Sequence, residues 1–506
     1  MAKAADKIKG STRKSYGKIT GTHLARAKEQ GYTLTPKGLA DYMTKLANSG
    51  TITKSSWYKL RCAIASTQDY GGYKDAADRL RALKFPEKAT PKAKPRRAKI
   101  ITDQDFKTLR DTVADPTLTA DDQSGNFAIL DIIAALKFVQ GNIGAFGGNA
   151  RNVTLSGQSA GAINVLAVMT APNQRTAGLF HRMAPLSGGI SLGTSPGFPQ
   201  PVNDLKGNNG YIPALNPVAT YEALSSALLV KLLIDDGSAT DVASATAWIQ
   251  GHSNADIAAY LRGKPASTLL KVGVRTIGGI ANSTGSGPIP EGTVVATDPI
   301  AAILAGNYVK TPLLAGMTNA EGKLLSSFLP LVGYPAGIKL TDAQLFQTLF
   351  DPAKAKAATF GDIINPAYAN GAAYDPAIAA LDAKFFGALR DNMLNAFITQ
   401  TPNQVWTYRF DWKQEAAPWN DVYGAAHAFD VPFILGNFGP SLYANVIVTD
   451  ANQGGREALS GAMMGALAAF ARSGDPNDAS LGTTWPNWPR VLLFDASATA
   501  KRISVQ

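Results

Sequence analysis

The chain has one cysteine, Cys62, in 506 residues, which excludes an intramolecular disulfide framework and points to a reducing compartment. Histidine is almost as scarce, with four in the whole sequence. Charged residues make up 17% against 45% hydrophobic, a balance that excludes a disordered, tail-dominated chain and implies a well-buried globular one. The 48 glycines and 29 prolines then read as turns between packed elements. No apolar run follows the basic residues 1–9, and the apolar stretch at 461–471 is too short to cross a bilayer. Neither a leader nor a membrane partner is expected, and the expected location is the cytoplasm.

The net charge of +11 is unevenly distributed. Residues 1–110 hold 25 Lys+Arg against 9 Asp+Glu, whereas the remainder holds 24 against 29. A basic module joined to a mildly acidic body is implied, and the body needs no polyanionic partner. At this length two domains are expected.

Within the basic module, Thr35-Pro36 reads as a helix start, and Leu39, Tyr42, Met43 and Leu46 follow at amphipathic spacing. A second helix is expected from about Ser55, with Trp57, Leu60 and Ile64 on one face, and a third over 74–83. Residues 1–85 thus read as a small helical bundle. Prolines and like charges from Pro86 to Lys99 favour an extended tether, so 86–113 is assigned as a linker.

From about Ala114 to Gln506 strand-like and helix-like blocks alternate, as in an α/β domain. A helix is expected over 126–140, with Ile129, Ile132, Ile133, Leu136 and Val139 on one side. Strands are expected at Val153-Thr154-Leu155, Leu313–Gly316 and Val405–Phe410. There is no internal repeat, and residues 201–300 carry no readable chemistry.

A strand that runs into Gly157-Gln158-Ser159-Ala160-Gly161 and straight on into a helix has the pattern of a nucleophile elbow. The turn would strain Ser159 and expose its hydroxyl, with Gly157 and Gly161 keeping neighbouring atoms clear. The Ala160 N–H, at the start of the helix, would then face a developing oxyanion. Serine needs a base and an orienting carboxylate. His23 lies in the basic module, His252 in a polar surface segment, and His181 at a structural strand position. His427, in a small-residue loop that suits a mobile imidazole, is the expected base. Glu321, just after a buried strand, is the expected acid, and the order Ser, Glu, His is the one this architecture uses. This chemistry calls for no cofactor and no metal.

Phe146-Gly147-Gly148, Asn152-Val153-Thr154 and Gly157–Gly161 together resemble the nucleophile block of type-B carboxylesterases, the group that includes the cholinesterases. The likeness continues through Gly178–Arg182, Ser187-Gly188, Asn319–Gly322, Ala426–Asp430, Phe470–Asn477 and Trp485-Pro486, spanning roughly residues 114–506. It implies an α/β-hydrolase fold preceded by a small basic helical domain. It also implies hydrolysis of small-molecule carboxylic esters through an acyl-enzyme at Ser159, with His427 as base and then acid and Glu321 holding the imidazole. Three departures stand out. Asn149-Ala150 replaces the usual Asp-Pro, and Gln158 replaces the usual Glu, removing carboxylates that join ion pairs; breaking a buried pair costs roughly 3–5 kcal/mol. The family's His-Gly-Gly-Gly oxyanion loop has no counterpart in the sequence, so the hydrolase fold is expected to be N-terminally incomplete, with unpaired backbone at its first strand.

Residues 11–85 bear a short resemblance to the core-binding domain of phage integrases, through Leu34-Thr35-Pro36, Leu39–Tyr42 and Ser55–Arg61. It implies DNA as a partner of residues 1–100, with Lys54, Lys59 and Arg61 as candidate phosphate contacts. Two readings therefore stand beside the serine esterase: a fusion whose esterase-like body is catalytically impaired, and a DNA-associated protein.

Overall fold

The computed structural model describes residues 23–32, 36–49, 57–58, 60–61, 64, 124–197, 211–273 and 287–506. The chain divides into two compact units, Met1–Leu109 and Arg110–Gln506.

In the first unit a helix over 23–29 is followed by α1 (Pro36–Asn48). Of the apolar stripe read from the sequence, Leu39, Tyr42 and Met43 are buried with Ala27, Ala47, Trp57, Leu60 and Ile64, and Leu46 packs partly buried against them. The Trp57 indole N–H donates to the Met43 carbonyl at 2.7 Å, so the polar edge of a large buried ring is satisfied. The expected helix over 74–83 and the linker stretch 86–99 lie outside the described residues.

The second unit is built on one sheet with strands in sequence order: β1 (Thr154–Gln158), β2 (Arg182–Leu186), β3 (Leu313–Thr318), β4 (Val405–Phe410), β5 (Leu492–Ala496) and β6 (Lys501–Val505). The first five pair in parallel and β6 returns antiparallel. Side chains alternate between two cores, one on each face, as the period of a strand requires. Leu314, Trp406, Tyr408 and Phe410 join one core, while Met183, Leu313, Ala315 and Val405 join the other. Helices α2 (Phe127–Asn142), α3 (Ala160–Met169) and α5 (Ala388–Ile398) pack into the second core through Ile129, Ile133, Val165, Leu389 and Phe397. Helices α4 (Gly371–Asp382) and α6 (Gln453–Ser473) pack into the first.

The three strands expected from the sequence are present: Val405–Phe410 has the bounds expected, and the strand from Leu313 runs two residues further, to Thr318. The first begins at Thr154 and runs on to Gln158, directly up to the elbow serine. The β5–β6 hairpin was not anticipated, and 218–270 proves to be helical. Helix α2 and the turn after it, Phe127–Phe146, are long and apolar enough to cross a membrane by length and composition. This stretch is longer than 461–471, and Phe138 and Phe146 stand 62% and 77% exposed on it. Its opposite face packs in the core through Ile129, Ile133 and Leu136.

Glu415 is buried, and neither carboxylate oxygen has a hydrogen-bond partner on another described residue. Burial pushes its pKa from 4.5 up to about 8, against the pull of Lys323 and Lys413. Between those values the unfolded chain has lost a proton that the folded chain keeps, so folding stability falls as pH rises through the window and levels off above it. Urea denaturation is expected to show Glu415→Gln gaining on the wild type by about 1.4 kcal/mol per pH unit across that window. Parallel pH profiles for the two proteins would contradict this.

Candidate active site

Strand β1 delivers the chain to Ser159 and helix α3 carries it away. Ser159 sits at φ 59°, ψ −125°, a left-handed conformation that costs a residue with a side chain of order 1–3 kcal/mol and persists only where the surroundings impose it. Here they do. The Ser159 N–H donates to the Leu186 carbonyl at 2.9 Å, continuing the β1–β2 ladder, while helix α3 turns back over the end of the strand. A Cβ on Gly157 would lie 2.2 Å from the Gly161 carbonyl oxygen, so no larger residue fits. Gly161 itself is under no such demand, since a Cβ there would meet nothing within 4 Å among the described residues. The expectation that both glycines clear space is thus corrected to Gly157 alone. Ala160 is exposed at the first position of α3, where N–H groups lack intrahelical partners and the helix end favours negative charge.

The carboxylate and the imidazole come from two loops stitched together. Past the end of β3 the Asn319 N–H donates to the Phe410 carbonyl at 2.9 Å and the Ala320 N–H to the Ala425 carbonyl at 3.0 Å. Ala320 and Ala426 form an isolated parallel bridge. The next residue on each side is Glu321 and His427, and their side chains meet: His427 Nδ1 lies 2.5 Å from Glu321 Oε2. The other carboxylate oxygen accepts from the Thr318 N–H at 2.6 Å. Glu321 is fully buried and His427 is 5% exposed, with the Phe386 ring 5.3 Å from the imidazole. The loop expected to leave the imidazole mobile is therefore packed. With Nδ1–H donating to Glu321, Nε2 carries a lone pair. Its hydrogen-bond partner is the Gln158 carboxamide nitrogen at 3.2 Å, and Ser159 Oγ makes no hydrogen bond among the described residues.

Three neighbours escaped the sequence reading. Asp430 is fully buried and accepts from the Tyr408 hydroxyl at 2.5 Å. Burial raises its pKa to about 6, the Tyr408 hydrogen bond opposes the rise, and the Glu321 charge adds to it. Asp382 accepts from the Gly322 N–H at 2.6 Å, and burial followed by the Glu321 charge pushes its carboxyl well above the usual range. Both shifts favour neutral carboxyls around Glu321. Gly316 is glycine because the Tyr408 ring occupies the place a Cβ would take, with Cζ 2.2 Å away. Asp430 lies three residues beyond His427 in a motif already singled out, a signal that was available. Nothing in the sequence ties Asp382 or Tyr408 to the site.

The remaining candidates lie elsewhere. The His181 Nδ1 accepts from the Val153 N–H at 3.3 Å, and exposed His252 stacks on Trp248 with centroids 3.8 Å apart. In the basic unit, His23 Nδ1 is 2.8 Å from the Tyr42 hydroxyl, and the Arg61 guanidinium lies 4.8 Å from the centre of the Tyr58 ring; Lys54 and Lys59 lie outside the described residues. Asn149 is exposed and accepts from the Arg151 N–H at 2.9 Å, so the broken buried pair expected there does not arise.

The model of the carboxylesterase family matches residues 117–195 and 222–502. The chain belongs to that family. Its sheet order and elbow are those of the α/β-hydrolase fold expected from the sequence. Fumonisin B1 esterase of Sphingopyxis macrogoltabida is 26% identical over 375 residues, covering 72% of this chain and 57% of that protein. Para-nitrobenzyl esterase of Bacillus subtilis (strain 168) is 26% identical over 395 residues, covering 74% and 65%. The Geobacillus stearothermophilus carboxylesterase aligns with a TM-score of 0.48 at 25% identity, covering 76% and 68%. The chain spans less than two thirds of the length of the curated relatives it matches.

The family's Gly-X-Ser-X-Gly thus divides into one glycine demanded by packing and one that is not. Gly157→Ala is expected to cost about 3 kcal/mol or more. Gly161→Ala should be neutral or stabilising by up to about 1 kcal/mol, since alanine is the better helix former. Thermal and urea denaturation of the two variants would check this, and equal losses would refute it.

Proposed function

We propose that this member of the carboxylesterase family hydrolyses small-molecule carboxylic esters through an acyl-enzyme at Ser159. The observation that carries the reading is the Glu321–His427 pair, held at 2.5 Å by the bridge between their loops, with Nε2 turned to the residue that precedes Ser159. The relatives named above are esterases, which supports the same substrate class.

In this mechanism Ser159 Oγ attacks the ester carbonyl carbon while its proton passes to His427 Nε2. Glu321, ionised and accepting from Nδ1–H, stabilises the imidazolium that forms. The carbonyl oxygen gains the negative charge and is met by the Ala160 N–H at the amino terminus of α3. Collapse of the tetrahedral species breaks the bond to the alcohol, which leaves with the proton returned from Nε2. Water repeats the sequence on the acyl group: His427 takes its proton, the hydroxide adds to the carbonyl, and Ser159 is released with the proton restored. Burial raises the pKa of the Asp382 and Asp430 carboxyls, which disfavours further negative charge beside Glu321.

With p-nitrophenyl butyrate as substrate, Ser159→Ala and His427→Ala are each expected to lower kcat by roughly 10⁴-fold or more, and Glu321→Gln by roughly 10⁴-fold through loss of the productive tautomer. Initial rates on purified full chain measure this. Hydrolysis that persists unchanged in Ser159→Ala would end the proposal.

A further inference from the structure

Gln158 closes strand β1, is half-buried, and brings its carboxamide nitrogen to 3.2 Å from His427 Nε2. The polarity of that contact follows from the opposite side of the ring. The Nδ1–H donates to the Glu321 carboxylate, so Nε2 presents a lone pair. The amino end of a carboxamide can face a lone pair, whereas the carbonyl end would set two acceptors against each other. Gln158 therefore donates and His427 accepts.

An imidazole nitrogen has a single in-plane lone pair, and this one is the pair that would take the Ser159 proton. The ring has little room to turn away, being held by Glu321 on one side and lying 5.3 Å from Phe386 on another.

We infer that Gln158 is a positioning residue that caps the His427 base in a resting state and is displaced when Ser159 transfers its proton. The inference rests on the esterase reading above for its consequence, though not for the contact itself. The cap is selective for one protonation state. Once Nε2 is protonated, the amino end of Gln158 faces an N–H and loses its bond, so the imidazolium is free to return its proton to the leaving alcohol. The family's usual glutamate at this position would do the reverse: a carboxylate cannot donate to a bare lone pair and would attract the imidazolium.

The test uses full-length protein with ¹⁵N-labelled histidine, in which the His427 resonances are assigned by their loss in His427→Gln. In Ser159→Ala the Nε2 resonance should stay at its wild-type position, because Ser159 is not its partner. Adding Gln158→Met, close in shape but without a donor, should move it downfield to that of an unbonded ring nitrogen. Separately, a fluorophosphonate probe should label Ser159 about fivefold faster in Gln158→Met than in the wild type, the factor a net hydrogen bond of ordinary strength is worth. A resonance that moves in Ser159→Ala, or that stays fixed when Gln158 is replaced, overturns the cap, as does equal or slower labelling in Gln158→Met. If Ser159 is labelled in neither protein, the esterase reading fails while the nitrogen resonance still decides whether Gln158 holds the base.

Discussion

Parallel pairing of β1 to β4 is the constraint from which the site's geometry follows. Strands that run in one direction present their carboxyl ends along one edge, and the register here aligns Gln158 with Leu186, Leu186 with Gly316, and Thr318 with Phe410. The three loops leaving β1, β3 and β4 therefore rise from the same edge. Residues separated by 269 positions, Gln158 and His427, meet without any loop having to cross the sheet.

Two close approaches convert that alignment into chemistry. Helix α3 folds back on β1 so tightly that Gly157 has no space for a side chain, and the strain is concentrated on Ser159. The bridge between Ala320 and Ala426 then extends the β3–β4 relation past the sheet, into the loops that carry the carboxylate and the imidazole. Both are backbone events, which leaves the side chains of Glu321 and His427 committed to each other.

Around this pair two further carboxyl groups are buried. Asp382 and Asp430 both sit beside Glu321, and each has one carboxylate oxygen without a hydrogen-bond partner among the described residues. Three ionised carboxylates in so small a volume would repel one another strongly. Burial resolves the conflict by favouring the protonated forms of the two aspartates, so that Glu321, whose oxygens are both bonded, can carry the charge.

Much of this was legible along the chain because it depends on local pattern. The apolar spacing of Leu39, Tyr42 and Met43, the strand Val405–Phe410, and the elbow with its flanking strand and helix each record a demand made by neighbours within a few residues. The choice of Glu321 and His427 drew on order and on local context, and the structure pairs them. What the amino-acid order could not determine is which groups meet through space. The contact of Gln158 with the imidazole, the acids gathered behind Glu321, and the freedom of Gly161 against the confinement of Gly157 were decided only by the tertiary structure. They depend on the distances between strands and loops far apart in sequence, and those distances exist only once the sheet has assembled.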